Sequence, residues 1–311
     1  MSSILIFYIV TIKFILIAED FTPILPILHK MIKNSKGDDT LMQTEYIVSV
    51  PCTFMYLEAD RNSEVTDQLL YGTCVTTSEK AQNGFVFCKT DYGYGGYVEK
   101  STLKKSACTS QEKHVVTSSF CSLYSYPEYR CSPVLTLPKG SIIRSGNISI
   151  KNGFLGLWVD GRYLFAHKNH ITSKEKLHAF HDIPSKRSQI VKTALSYLKT
   201  PYMWAGKTPS GIDCSGLCFM AYSMCGTGLY RDAEFDGRYL RKISKSELKK
   251  ADLIYYNGHV VMYLGNGYYI HSSASMGGVT INSFDKNNPL YRRELDGNET
   301  CFASSLAFFE S

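Results

Sequence analysis

The ten cysteines include no Cys-x-x-Cys pair. That absence excludes a thioredoxin-like redox motif and the usual spacing of a structural zinc site. There is no dense basic block either: the surplus of six positive charges is scattered along 311 residues. Nucleic acid is therefore not expected as a partner, since nothing beyond net charge supports it. Long apolar runs are also missing. The stretch Ile4 to Ile17 is interrupted by Thr11 and Lys13 and is too short to cross a bilayer comfortably, so no stable membrane span is expected. Nothing basic precedes it and Glu19-Asp20 follow it, a poor fit to a secretory signal. What the chain does have is material for real cores. Hydrophobic residues make up 44% and charged residues 20%, at a length that suggests two or three domains.

Residues 1–45 read as a signal-like segment or as sequence ahead of the true start. Lys36-Gly37-Asp38 can be encoded by AAAGGAGAT, a purine-rich string resembling a bacterial ribosome-binding site, shortly before Met42. A start at Met42 predicts a cytoplasmic protein, whereas a working signal predicts a secreted one. N-terminal sequencing of the native protein decides: residues ahead of Met42 rule out the internal start.

Residues 46–108 alternate and turn at short intervals, with Asn83-Gly84 and Gly93 to Gly96 as turn signals, which predicts a small all-β barrel. Residues 109–175 repeat the plan. Leu137-Pro138-Lys139-Gly140-Ser141-Ile142 parallels the stretch from Leu70 to Val75, and Asp160 to Phe165 parallels the segment around Tyr94. A polar stretch, Thr172 to Lys186, reads as a linker into a third unit, 176–311. There Ser185 is the expected cap of a helix with Ile190, Val191, Ala194, Leu195 and Leu198 on its apolar face. Leu217, Met220, Ala221 and Met224 mark a second helix, closed by Gly226. Leu253–Tyr256, His259–Leu264 and Tyr268–His271 then form a meander, so this unit is α+β. Six cysteines (Cys52, Cys74, Cys88, Cys108, Cys121, Cys131) fall in the β-rich half. They could pair in an oxidising compartment, but most read as buried thiols.

Asp213-Cys214-Ser215-Gly216 stands at the start of the second helix. A helix N-terminus presents free N–H groups and positive potential, which favours a thiolate nucleophile. Cys218 and Cys225 lie further along and lack that field. His259 opens a strand after the Asn257-Gly258 turn, where it can act as base; His271, on the next strand, can fix its tautomer. Taken singly, Cys214 reads as a core cysteine and each histidine as a strand-end residue. Together they read as a cysteine hydrolase, which needs no metal or organic cofactor.

These residues carry a family resemblance. Pro201 to Pro209, Gly211 to Leu217, Gly258 to Gly265 and Ile270-His271-Ser272 resemble the NlpC-type cysteine peptidases, and the β-rich half resembles paired bacterial SH3 modules. The resemblance implies an α+β papain-like catalytic domain preceded by two small all-β SH3-like barrels. It points to the subgroup of γ-D-glutamyl-L-diamino-acid endopeptidases, with murein-derived peptides as partners. It implies Cys214 as nucleophile, His259 as base and His271 as orienting residue. Tyr202 and Ser215 match pocket residues, and Asp232 in Tyr230-Arg231-Asp232-Ala233 matches the acid that binds the substrate's free amino group. Glu64 and Tyr94 are the candidates from the first barrel, which closes one end of the cleft. For Trp204 the expectation is plain aromatic core. Ala205 departs from the family's frequent glycine. The rival readings are a secreted D,L-endopeptidase of intact peptidoglycan and a non-catalytic wall-binding protein.

Overall fold

The computed structural model describes residues 44–308 apart from 78–79, 106–111, 147 and 181. The expectation about a signal or an internal start concerns residues outside these. Seven strands make the first β unit: β1 (Thr44–Val48), β2 (Cys52–Tyr56), β3 (Val65–Leu70), β4 (Cys74–Thr77), β5 (Phe85–Thr90), β6 (Gly95–Glu99) and β7 (Leu103–Lys105). They form one antiparallel sheet in the order β3-β2-β6-β5-β4-β1-β7. Alternation sends Val48, Met55, Leu69, Val75, Val86, Cys88 and Val98 into a common core. Asn83 and Gly84 both have positive φ, the conformation a two-residue hairpin turn requires.

The second unit comprises β8 (Lys113–Val116), β9 (Phe120–Tyr124), β10 (Leu135–Pro138), β11 (Ile142–Arg144), β12 (Ser149–Lys151), β13 (Phe154–Val159), β14 (Arg162–His167) and β15 (Ile171–Ser173). Its pairing repeats that of the first. β8 pairs with β11 and β15 as β1 does with β4 and β7. β9 pairs with β10 and β14 as β2 does with β3 and β6. The difference is β12, which takes the place beside β13 that β4 holds beside β5 and divides the unit into five- and three-stranded sheets.

The stretch expected as a linker carries a short helix, α1 (Lys174–His178), which packs against β8 and β15 of the second unit. Helix α2 (Ile183–Leu195) is capped by Asp182, whose carboxylate accepts the Ser185 N–H at 2.6 Å. Ser185 is therefore inside the helix: Asp caps as well as Ser, and Pro184 suits the first turn. Its buried face holds Arg187, Ile190, Thr193 and Ala194, while Leu195 and Leu198 are exposed. A short hairpin, β16 (Lys207–Thr208) and β17 (Gly211–Ile212), leads to α3 (Cys214–Ser223). The meander forms as β19 (Leu253–Tyr256), β20 (His259–Gly265) and β21 (Tyr268–Ser273). With β18 (Arg241–Lys242), β22 (Gly278–Ser283) and β23 (Cys301–Ser304) it makes an antiparallel sheet in the order β18-β23-β19-β20-β21-β22. Val260, Met262 and Ile270 pack with α3, whereas Val261 and Tyr269 belong to the opposite face.

The thiols divide. Cys88, Cys121, Cys218 and Cys225 are buried and free, but Cys52 is exposed, Cys131 and Cys301 are half-buried, and Cys74 is disulfide-bonded. Among the described residues no helix is long and apolar enough to cross a membrane.

Candidate active site

Cys214 is the first residue of α3, and the motif around it can be read letter by letter. Asp213 is the cap, accepting the Gly216 N–H at 2.5 Å. Ser215 donates to Asp213 at 3.3 Å and accepts from Arg231 at 2.8 Å. Gly216 has no room for a Cβ, which would overlap the Gly206 carbonyl oxygen. The Cys214 thiol does not rest as thiolate. Burial first, and then the Asp213 charge, push it up to about 11; the N–H groups of Val260 and Ser215 and the Arg231 charge pull the other way. The helix field favours a thiolate, but desolvation outweighs that field here.

The sulfur meets the sheet at the start of β20, through the Val260 N–H next to His259. His259 Nε2 lies 2.8 Å from His271 Nδ1, and His271 Nε2 lies 2.9 Å from Asn282 Oδ1. These three sit on adjacent strands as diagonal neighbours, since His271 pairs with Thr280 and Tyr269 with Asn282. The row fixes the tautomers. Asn282 Nδ2 donates to the Leu290 carbonyl at 3.0 Å, so its Oδ1 must face His271. His271 then carries its proton on Nε2 and accepts through Nδ1, which places the His259 proton on Nε2. His259 Nδ1 is left with a free lone pair. Burial, and then the neighbouring His271, lower the His259 pKa to about 4, so the ring is neutral at ordinary pH.

Tyr202 is anchored by its N–H to the Gly277 carbonyl at 2.9 Å. Burial, then the nearby Cys214 and Asp213 charges, push its phenol to about 12, so it keeps its proton. Asp232 lies in a loop, and Tyr94 of the first unit donates to it at 2.7 Å across 138 residues of sequence. Glu64 is exposed, one residue before Val65, whose carbonyl accepts the Trp204 indole N–H at 2.8 Å. Trp204 is thus not core: it is 60% exposed and bridges two units. Ala205 has φ of 58°, a left-handed conformation that explains why glycine is frequent there.

The residues that sequence reasoning missed lie beneath the motif. Arg231 joins Asp213 by a forked pair of bonds at 3.2 and 3.1 Å, and donates from Nε to Asp67 at 2.6 Å. Asp67 also accepts from Tyr92 and from Lys207, the latter at 2.9 Å. Despite burial, the Lys207 and Arg231 charges hold Asp67 ionised, and burial lowers Lys207 only to about 8.

A family model described as the NlpC/P60 family matches residues 199–295, the segment that holds the thiol and the histidine row. The dipeptidyl-peptidase 6 of Lysinibacillus sphaericus is 34% identical over 267 residues, covering 80% of this chain and 95% of that one. The chain belongs to the NlpC/P60 family. It is a cysteine peptidase, a hydrolase. A γ-D-glutamyl-L-lysine dipeptidyl-peptidase of Bacillus cereus is 34% identical over 125 residues, 37% of each chain. A solved NlpC/P60 family protein from Bacillus cereus ATCC 10987 shares the fold, with a TM-score of 0.70, 20% identity and coverage of 85% of this chain and all of that one. For this NlpC/P60 chain the papain-like α+β architecture therefore stands. Asn282 was within reach of the sequence: Gly278 to Asn282 alternates as a fourth strand after His271. Asp67 and Arg231 carried no such signal.

Proposed function

We propose that this peptidase cuts the γ-D-Glu to diamino-acid bond of murein-derived peptides that begin with a free L-Ala, as in peptidoglycan recycling. In this reading two SH3-like modules precede the catalytic unit. The observation that carries the specificity is the Tyr94–Asp232 contact: a carboxylate steadied by the first β unit is a partner for an ammonium group. The name of one relative, γ-D-glutamyl-L-lysine dipeptidyl-peptidase, supports the same bond, and the name dipeptidyl-peptidase 6 supports release of a dipeptide.

The chemistry follows from the proton positions. Because the thiol is raised to about 11 and His259 is neutral, Cys214 attacks the γ-carbonyl carbon as His259 Nδ1 takes the thiol proton. The carbonyl oxygen becomes an oxyanion, held by N–H groups at the start of α3 with the protonated Tyr202 hydroxyl as a further donor. His259 returns the proton to the departing amine, leaving a thioester. A water then gives its proton to His259 and attacks the thioester carbon, and the sulfur leaves, taking that proton back from His259, as the dipeptide is freed.

Mass spectrometry of products from a defined L-Ala-γ-D-Glu-diamino-acid tripeptide tests this. The expected products are the dipeptide and the free diamino acid, with none from the Cys214→Ala variant. Cleavage at another bond, or undiminished hydrolysis by Cys214→Ala, overturns the reading.

A further inference from the structure

We propose that Arg231 is a positioning residue: by tying the Asp213 cap to Asp67 of the first β unit, it makes the docked first unit hold Cys214 against the base. This rests on the reading of Cys214 as nucleophile. Arg231 is 2% exposed, and every polar atom of its guanidinium has a partner in this group: Asp67, both oxygens of Asp213, and the Ser215 hydroxyl. An ordinary helix cap is set by its own helix alone. Here the cap's carboxylate is gripped from behind by a planar fork, so its rotamer, and with it the first turn of α3, is fixed from outside.

The other end of the grip is equally rigid. Asp67 is fully buried and also held by Lys207 and Tyr92, and the Lys207 N–H is fixed by Gln68 at 2.8 Å. Two carboxylates face two cations, so the buried group carries no surplus charge. Burying four charges is a poor way to make two surfaces adhere, because desolvation offsets most of the attraction. What such a group adds over apolar contact is direction, and its direction runs from β3 to the residue before the nucleophile.

The test uses the full chain and a readout that needs no peptide substrate. The rate of Cys214 alkylation by iodoacetamide is followed by peptide mass spectrometry and divided by that of half-buried Cys131, in the second unit, well below each variant's melting temperature. Asp67→Asn keeps the shape of the side chain but removes its charge and one of the two oxygens that Arg231, Lys207 and Tyr92 share, which weakens the tie. The expected result is a fall of about tenfold or more in the ratio. Arg231→Lys keeps the charge without the fork, and should fall between the two; it carries the same test if Asp67→Asn does not fold. A ratio within about twofold of wild type in a folded variant, even with a lowered melting temperature, makes the contact adhesive only and overturns the proposal. Undiminished tripeptide hydrolysis by Cys214→Ala overturns the nucleophile reading and this proposal with it. A normal wild-type ratio that is unchanged in the variants overturns only the role of Arg231.

Discussion

The two β units share a pairing plan but meet the peptidase unit by different chemistry. Asp67 lies opposite Met55 in the first, and Leu135 lies opposite Leu123 at the equivalent place in the second. One position thus holds a buried carboxylate reaching Arg231 and Lys207, the other a half-buried apolar residue packed against its own unit's core. The turn between β5 and β6 carries Tyr92 and Tyr94 to the peptidase unit. The equivalent turn of the second unit offers Asp160, which Tyr71 and Lys104 of the first unit hold. The second unit reaches the peptidase through Lys139, bonded to Ser196 at 2.6 Å and set 4.9 Å from the Tyr197 ring centroid, and through Val115, which is buried in the peptidase core. A duplicated scaffold, on this account, became part of a site in one copy and a support in the other through a few side chains at matched positions.

The largest expected difference is in stability. Asp67→Ala leaves buried cations short of a counter-charge and should cost about 3–5 kcal/mol in denaturant unfolding. Lys139→Met removes a buried cation that has no carboxylate partner among the described residues, and should change stability by about 1 kcal/mol or less. Equal losses would erase the contrast.

In kinetics the separation is smaller. Tyr94→Phe loosens Asp232 and should lower kcat/KM for the free-amine peptide about tenfold, the worth of one hydrogen bond to a charged group. Arg162→Ala, at the equivalent turn of the second unit, should leave it within about twofold. Smaller still is the effect on the acid limb of kcat. The His259 pKa is lowered, so the base form persists until pH falls through about 4, and kcat should fall there instead of near the ordinary histidine value. Since Tyr94 bonds Asp232 and not the histidine row, Tyr94→Phe should leave that limb in place. A limb that moves with Tyr94 would show that Tyr94 acts on the base as well as on Asp232.

The sequence disclosed what is tied to local signals. A cap, a cysteine and a glycine mark the start of α3, and Asn257-Gly258 marks the strand that opens with His259. Tyr94 and Asp232 came from family resemblance, and their contact is visible only in three dimensions. Asn282 required the register of a strand beyond the meander that was expected. Asp67 and Arg231 are separated by 164 residues, and a buried ion pair leaves no periodicity in either stretch. Aromatic character suggests burial for Trp204, whereas its indole spans a junction between units. Position on a helix says nothing of the desolvation that raises the Cys214 thiol.

The account turns on who is admitted to Cys214, and one ratio measures it. That ratio is kcat/KM for L-Ala-γ-D-Glu-diamino-acid with a free amine over the same peptide N-acetylated, in wild type and in Tyr94→Phe. On the proposed reading acetylation removes the charge that Asp232 would pair with, so wild type should favour the free peptide by about 100-fold, and Tyr94→Phe should narrow that gap. Equal cleavage of both peptides by wild type would contradict the account.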